Sequence, residues 1–170
     1  RPFSTVEPNV GIVAIPDSRL ERISKIINPE KTTPATIEFW DIAGLVKEAH
    51  KGEGLGNQFL AQIRNCSALI EVIRVFKSKR VAHVEKDVDP ERDLEIINTE
   101  LIMKDLETVN TAFSKLDDRV LDKEKRLKKE VLERIRKALE RGSMISELEI
   151  EDKEILKEYQ FLTQKPIIYL

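Results

Sequence analysis

Residues 36–56, T-I-E-F-W-D-I-A-G-L-V-K-E-A-H-K-G-E-G-L-G, limit the folds open to this chain more than any other stretch. Ile37, Phe39 and Trp40 favour β structure and are interleaved with Thr36 and Glu38, a pattern that predicts a strand running into a sheet. The strand stops at Asp41. Gly44 follows three residues later, and then a loop carries Gly52, Gly54 and Gly56. A carboxylate at the end of a strand can hold a water on magnesium. A nearby glycine lets its amide reach a terminal phosphate with no side chain in the way. The bare Asp-x-x-Gly spacing also occurs where a strand simply ends in a turn, so the rest of the chain must decide.

With 170 residues the chain is long enough for one domain and a modest core. The net charge is −2, so any nucleic-acid contact requires a local basic patch rather than a global field. The single cysteine, Cys66, leaves no internal disulfide and is expected to be a small buried residue in a reducing cytosol. No apolar run is long enough to span a membrane, and the start lacks the plan of a signal peptide. The chain begins with Arg rather than Met, so further residues are expected upstream.

Residues 1–9 read as an extended loop. The β-branched run 10–15 predicts a buried strand, ended by Pro16. Asp17 or Ser18 can cap a helix carrying Leu20, Ile23, Ile26 and Ile27, which Asn28-Pro29 stops. Beyond the glycine loop, residues 57–64 predict a short helix with Phe59, Leu60 and Ile63 apolar. Residues 68–76 predict a strand, and 77–89 a loop. Strands alternating with helices argue for an α/β domain with a mainly parallel sheet.

Asp89-Pro90 is a helix start, Asp as N-cap and Pro in the first turn. From there Ile102, Leu106, Val109, Phe113, Leu116 and Val120 recur at heptad spacing. Leu127, Val131 or Leu132, Ile135 and Ala138 or Leu139 form a second stripe closed by Gly142. Two long helices with a short connection predict an antiparallel hairpin. A shorter helix at 152–160 then leads to P-I-I-Y-L, a last strand.

The segment D-I-A-G-L-V-K-E-A-H-K-G-E-G-L-G-N-Q-F-L resembles the switch II segment of the YchF / Obg-like ATPase family, P-loop NTPases of the translation-factor class. P-F-S-T-V-E-P-N, V-G-I-V, D-S-R-L, D-L-E-I-I-N-T-E-L and F-L-T-Q-K-P-I-I-Y-L follow the same family order. The resemblance covers the whole chain and implies an α/β, P-loop NTPase-type sheet with an inserted antiparallel α-helical coiled-coil hairpin. No G-x-x-x-x-G-K-[ST] loop occurs here. The family carries that loop and its strand upstream of Arg1, and its base-reading motif and a TGS-type domain beyond Leu170. The expected division is a partial nucleotide-binding domain at 1–100 and 161–170, with the hairpin at 101–160. Without the phosphate loop, residues 1–170 alone are expected to bind nucleotide feebly or not at all.

By position the resemblance makes Thr5 the switch I threonine, which closes on magnesium and the terminal phosphate. Asp41 becomes the residue holding magnesium through water, and Gly44 the glycine whose amide meets the γ-phosphate. Leu45 stands where many GTPases place a glutamine that orients the attacking water, and leucine cannot make that hydrogen bond. His83 matches a family histidine credited with that task, although the preceding S-K-R is more basic than the family pattern. His50, within the switch loop, is the other histidine. Residues 115–141 carry 11 Lys/Arg against 7 Asp/Glu, a face that could meet RNA phosphates or simply be solvated. The implied function is a cytoplasmic, monomeric, ribosome-associated switch that hydrolyses ATP or GTP with Mg2+. It would meet the ribosome or RNA through the coiled coil and the C-terminal domain. The alternative is a non-enzymatic helical module that docks on RNA or protein.

Overall fold

The computed structural model describes residues 9–41, 63–78, 87–116, 123–151 and 153–170. The chain divides into two compact units, Arg1–Gly44 and Leu45–Leu170.

In the first unit, strand β1 (Asn9–Ala14), helix α1 (Ser18–Ile27) and strand β2 (Thr36–Asp41) follow in order. Asp17 is the cap of α1. Its carboxylate accepts the backbone N–H of Arg19 at 2.9 Å and is bridged by the Arg19 guanidinium at 2.8 Å. Asn28 ends the helix in the left-handed region, φ 48°, its N–H donating to the Ser24 carbonyl.

β1 and β2 pair antiparallel, Asn9 opposite Asp41 and Ala14 opposite Thr36, which corrects the expectation of a mainly parallel sheet for these two strands. The cause is the return leg. After Asn28 the chain comes back beside α1, held by a 2.6 Å contact between the Ser24 and Thr32 hydroxyls. The Ile15 N–H then donates to the Ala35 carbonyl and extends the ladder. Helix and return leg cancel, and the connection acts as a wide hairpin.

The expected burial of residues 10–15 is also corrected. Every residue of β1 and β2 is exposed, Ile12 at 67%. β-branched side chains favour the extended backbone whether or not another layer covers them, and a two-stranded ladder has two open faces.

In the second unit, strand β3 (Leu69–Glu71) pairs parallel with strand β4 (Ile167–Tyr169). β3 is shorter than the expected strand over 68–76. Its ladder goes only as far as the Ile73 N–H, which donates to the Leu170 carbonyl. Between the strands lie helix α2 (Pro90–Lys115), helix α3 (Lys123–Glu140), a 3-10 turn (Ile145–Glu147) and helix α4 (Lys153–Tyr159). Asp89 caps α2 by accepting the Arg92 N–H, with Pro90 opening the helix as expected. α3 closes on Gly142 at φ 81°. The Gly142 N–H donates to Leu139 and the Ser143 N–H to Ala138, the paired bonds of a Schellman cap.

The core lies among these helices. Ile102, Val109 and Ala112 of α2 meet Val131, Leu132, Ile135 and Leu139 of α3, with Ile145, Ile155, Leu156 and Phe161 beneath. Leu106, Phe113 and Leu116 of the expected heptad seam pack partly buried against it, and Val120 lies outside the described residues. Leu127, expected in the second stripe, is corrected: it is 47% exposed, one turn from the start of α3. The α3 stripe begins at Val131.

Two polar ties, one buried and one part-buried, fasten this core to the segments that lead into the strands. Asp105 of α2, 0% exposed, accepts the backbone N–H groups of Leu162 and Thr163 at 2.9 and 2.8 Å and the Thr163 hydroxyl at 2.7 Å. Burial pushes its carboxyl up, and the three donors and the nearby Arg64 charge pull the other way. Arg64 donates to the Thr108 hydroxyl of α2 at 2.6 Å and to the Tyr159 carbonyl at 3.0 Å. The Lys165 ammonium closes the set, donating to the carbonyls of Arg64 at 2.9 Å and Cys66 at 2.6 Å.

Candidate functional site

The antiparallel ladder decides where Asp41 stands. It is the last residue of β2, opposite Asn9, and its side chain is exposed. Ile37 and Phe39 share one face of β2. Glu38 and Trp40 share the other, where the Trp40 indole N–H donates to Glu38 at 3.3 Å. The carboxylate therefore sits on a strand end open to solvent. A hard oxygen donor in that position suits magnesium, which keeps several waters and needs only one or two carboxylates. Among the described residues no group of three or more His, Cys, Asp or Glu side chains suited to a metal occurs.

Thr5, Gly44 and His83, together with Leu45 and His50, lie outside the described residues. The structure thus locates one of the four expected site residues. A cleft of about 500 Å³ lined by Ile15, Pro16, Leu20 and Pro34 opens at the other end of β1. Five residue steps of strand, about 17 Å, separate that end from the level of Asp41, so the cleft is not part of its surroundings.

Sequence reasoning passed over Glu71 of β3. Its side chain is 6% exposed and neither carboxylate oxygen has a hydrogen-bond partner. Burial pushes this carboxyl up from the ordinary 4.5, and burial first, then any Glu71 charge, pushes up the Tyr169 hydroxyl across the strand pair. The fold prefers the neutral acid. The stability this group contributes is therefore whole below the ordinary glutamate value and is lost as pH rises through the raised one. Glu71→Met is expected to stabilise the chain at neutral pH by about 1 kcal/mol, roughly 2–4 °C in Tm. The gain should shrink as the pH is lowered toward the ordinary glutamate value. Thermal melts of both chains across that range check this, and a gain independent of pH would contradict it.

α3 presents its charge on the side away from the core. Arg126, Lys129, Glu130, Glu133 and Arg134 line a shallow groove of about 430 Å³. Several cations of the helix are already matched, Lys128 with Glu158 at 2.7 Å and Arg136 with Glu133 at 2.9 Å. The charged face is thus partly self-neutralised. Among the described residues no helix is long and apolar enough to cross a membrane.

A family profile described as 50S ribosome-binding GTPase matches residues 1–170. The chain is 44% identical over 173 residues to the ribosome-binding ATPase YchF of Haemophilus ducreyi, covering 99% of this chain and 48% of that protein. It is 44% identical over 174 residues to the ribosome-binding ATPase YchF of Bacillus subtilis, covering 99% and 47%. The solved structure of the Schizosaccharomyces pombe YchF GTPase superposes with a TM-score of 0.74 at 35% identity, covering 99% of this chain and 47% of that one. The chain therefore spans about half the length of the curated relatives it matches.

Proposed function

This chain belongs to the 50S ribosome-binding GTPase family and has its P-loop GTPase-type fold, and on that premise we propose that its parent protein is a magnesium-dependent ATP or GTP hydrolase acting as a ribosome-linked switch. The observation that carries the reading is Asp41 on the open end of β2, inside a D-I-A-G-L segment, in a chain 44% identical to proteins named ribosome-binding ATPases. Those names favour a hydrolase over a purely structural helical module.

Asp41 and Thr5 are the residues that would hold magnesium, which when bound supplies positive charge at the phosphates. The Asp41 carboxylate accepts a hydrogen bond from a water. The Gly44 amide donates toward a terminal phosphate oxygen, its approach unhindered by a side chain. Leu45 offers no hydrogen bond, so orienting the attacking water would fall to His83, whose imidazole can hold the water at one ring nitrogen. The reading divides the parent into a nucleotide-binding domain, to which residues 1–100 and 161–170 contribute, and a helical insertion at 101–160. It places the parent in the cytoplasm as a monomer.

The test is phosphate release from ATP and from GTP by the full-length protein, with and without magnesium. Release that requires magnesium is expected. No release from either nucleotide, by folded protein, overturns the reading.

The helical insertion, taken as an antiparallel coiled coil, is the proposed contact with ribosomal RNA, supported by the relatives' ribosome-binding names and the Arg126–Lys129–Arg134 side of the α3 groove. Reversing Arg126 and Lys129 to Glu is expected to weaken co-sedimentation with ribosomes several-fold and to flatten its salt dependence. Unchanged co-sedimentation would remove α3 from the contact.

A further inference from the structure

The two polar ties between α2 and the strands have no role in the chemistry proposed above. Asp105 is near the middle of α2 and wholly buried. Its three donors come from Leu162 and Thr163, more than fifty residues further along the chain and four to five residues before β4. Thr163 is held from a third side as well. Its carbonyl accepts the Ser146 N–H at 3.0 Å, and its hydroxyl accepts the Ile145 N–H at 3.3 Å.

One turn along α2, Thr108 accepts from Arg64, which also reaches the last residue of α4. Lys165 ties the approach to β4 onto Arg64 and Cys66, the approach to β3. One short face of α2 thus fixes the lead-in to both strands. An arm joined to its sheet by chain alone would need none of this. Each bond here joins groups far apart in sequence, and those of Asp105 are shut away from competing water.

We propose that Asp105 and Arg64 form a latch that makes α2 and the β3–β4 pair a single rigid body, so that the helices turn with the strands as a lever. The proposal deepens the switch reading by naming what a nucleotide-driven movement of these strands would carry with it. Its test needs no nucleotide, so the two can fail separately. Asp105 and Arg64 are positioning residues in this scheme.

Spin labels at Asn110 of α2 and Ile168 of β4, both on exposed sites, read the rigidity directly in the full-length protein with Cys66→Ser and other reactive thiols removed. Double electron–electron resonance is expected to give one narrow distance distribution. Asp105→Asn, which leaves an amide unable to accept all three bonds, should widen it at least twofold with helix content unchanged. Thr163→Val removes a single hydroxyl and serves as the milder variant if Asp105→Asn does not fold. Widening in the folded variant supports the latch. A width equal to that of the native protein overturns it, as does a native distribution that is already broad.

Discussion

His83→Ala in the full-length protein is expected to lower kcat for magnesium-dependent hydrolysis about 100-fold and to leave nucleotide affinity unchanged. The reason lies two steps back, at Leu45. A water attacking a phosphorus needs a partner that accepts its proton and fixes its line of approach. Leucine does neither, and only two histidines occur in the chain. On the proposed reading the His83 imidazole would supply the acceptor, and contributions of this kind are worth at least about 100-fold. The loss is expected in kcat and not in binding, because the acceptor acts on the water in the transition state and does not touch the bound nucleotide. His50→Ala is the control and should be nearly silent. Steady-state kinetics with a separate binding titration check the split. A His83→Ala protein that turns over at the native rate removes the assignment.

Asp105→Ala is expected to cost about 3–5 kcal/mol of stability, the largest effect of any single change considered. The substitution leaves two backbone N–H groups and one hydroxyl buried without an acceptor, each worth about 1–3 kcal/mol and not fully additive. For a domain of this size the melting temperature should fall by roughly 10 °C. Asp105→Asn keeps one oxygen and should fall between. Urea unfolding followed by circular dichroism gives both values. A loss below about 1 kcal/mol for Asp105→Ala would show that water reaches the orphaned donors.

The features that were legible in the sequence are local ones. Asp17, Asp89 and Gly142 each stop or start a helix by chemistry within a few residues, and each does so in the structure. Asp41 at a strand end is of the same kind. What the sequence hid depends on distant partners. The direction of β2 relative to β1 follows the return leg after Asn28, which runs back beside α1 and pairs Ile15 with Ala35 at the start of the ladder.

Asp105 was hidden for a different reason. The heptad reading followed Ile102, Leu106 and Val109. The structure buries Glu100, Leu101, Ile102, Asp105, Val109 and Ala112, a stripe that shares Ile102 and Val109 with the heptad seam and takes two carboxylates inside, Asp105 completely. A charged residue at helical spacing among apolar ones was the available signal. Its partners, Leu162 and Thr163, are too far along the chain for periodicity to reveal.

The central claim is that Asp41 serves a magnesium-bound phosphate. The most direct measurement is the magnesium concentration that half-saturates hydrolysis by full-length protein, native against Asp41→Asn. Removing an outer carboxylate of this kind should raise it about 10–100-fold. A folded Asp41→Asn protein with the native magnesium requirement would contradict the account.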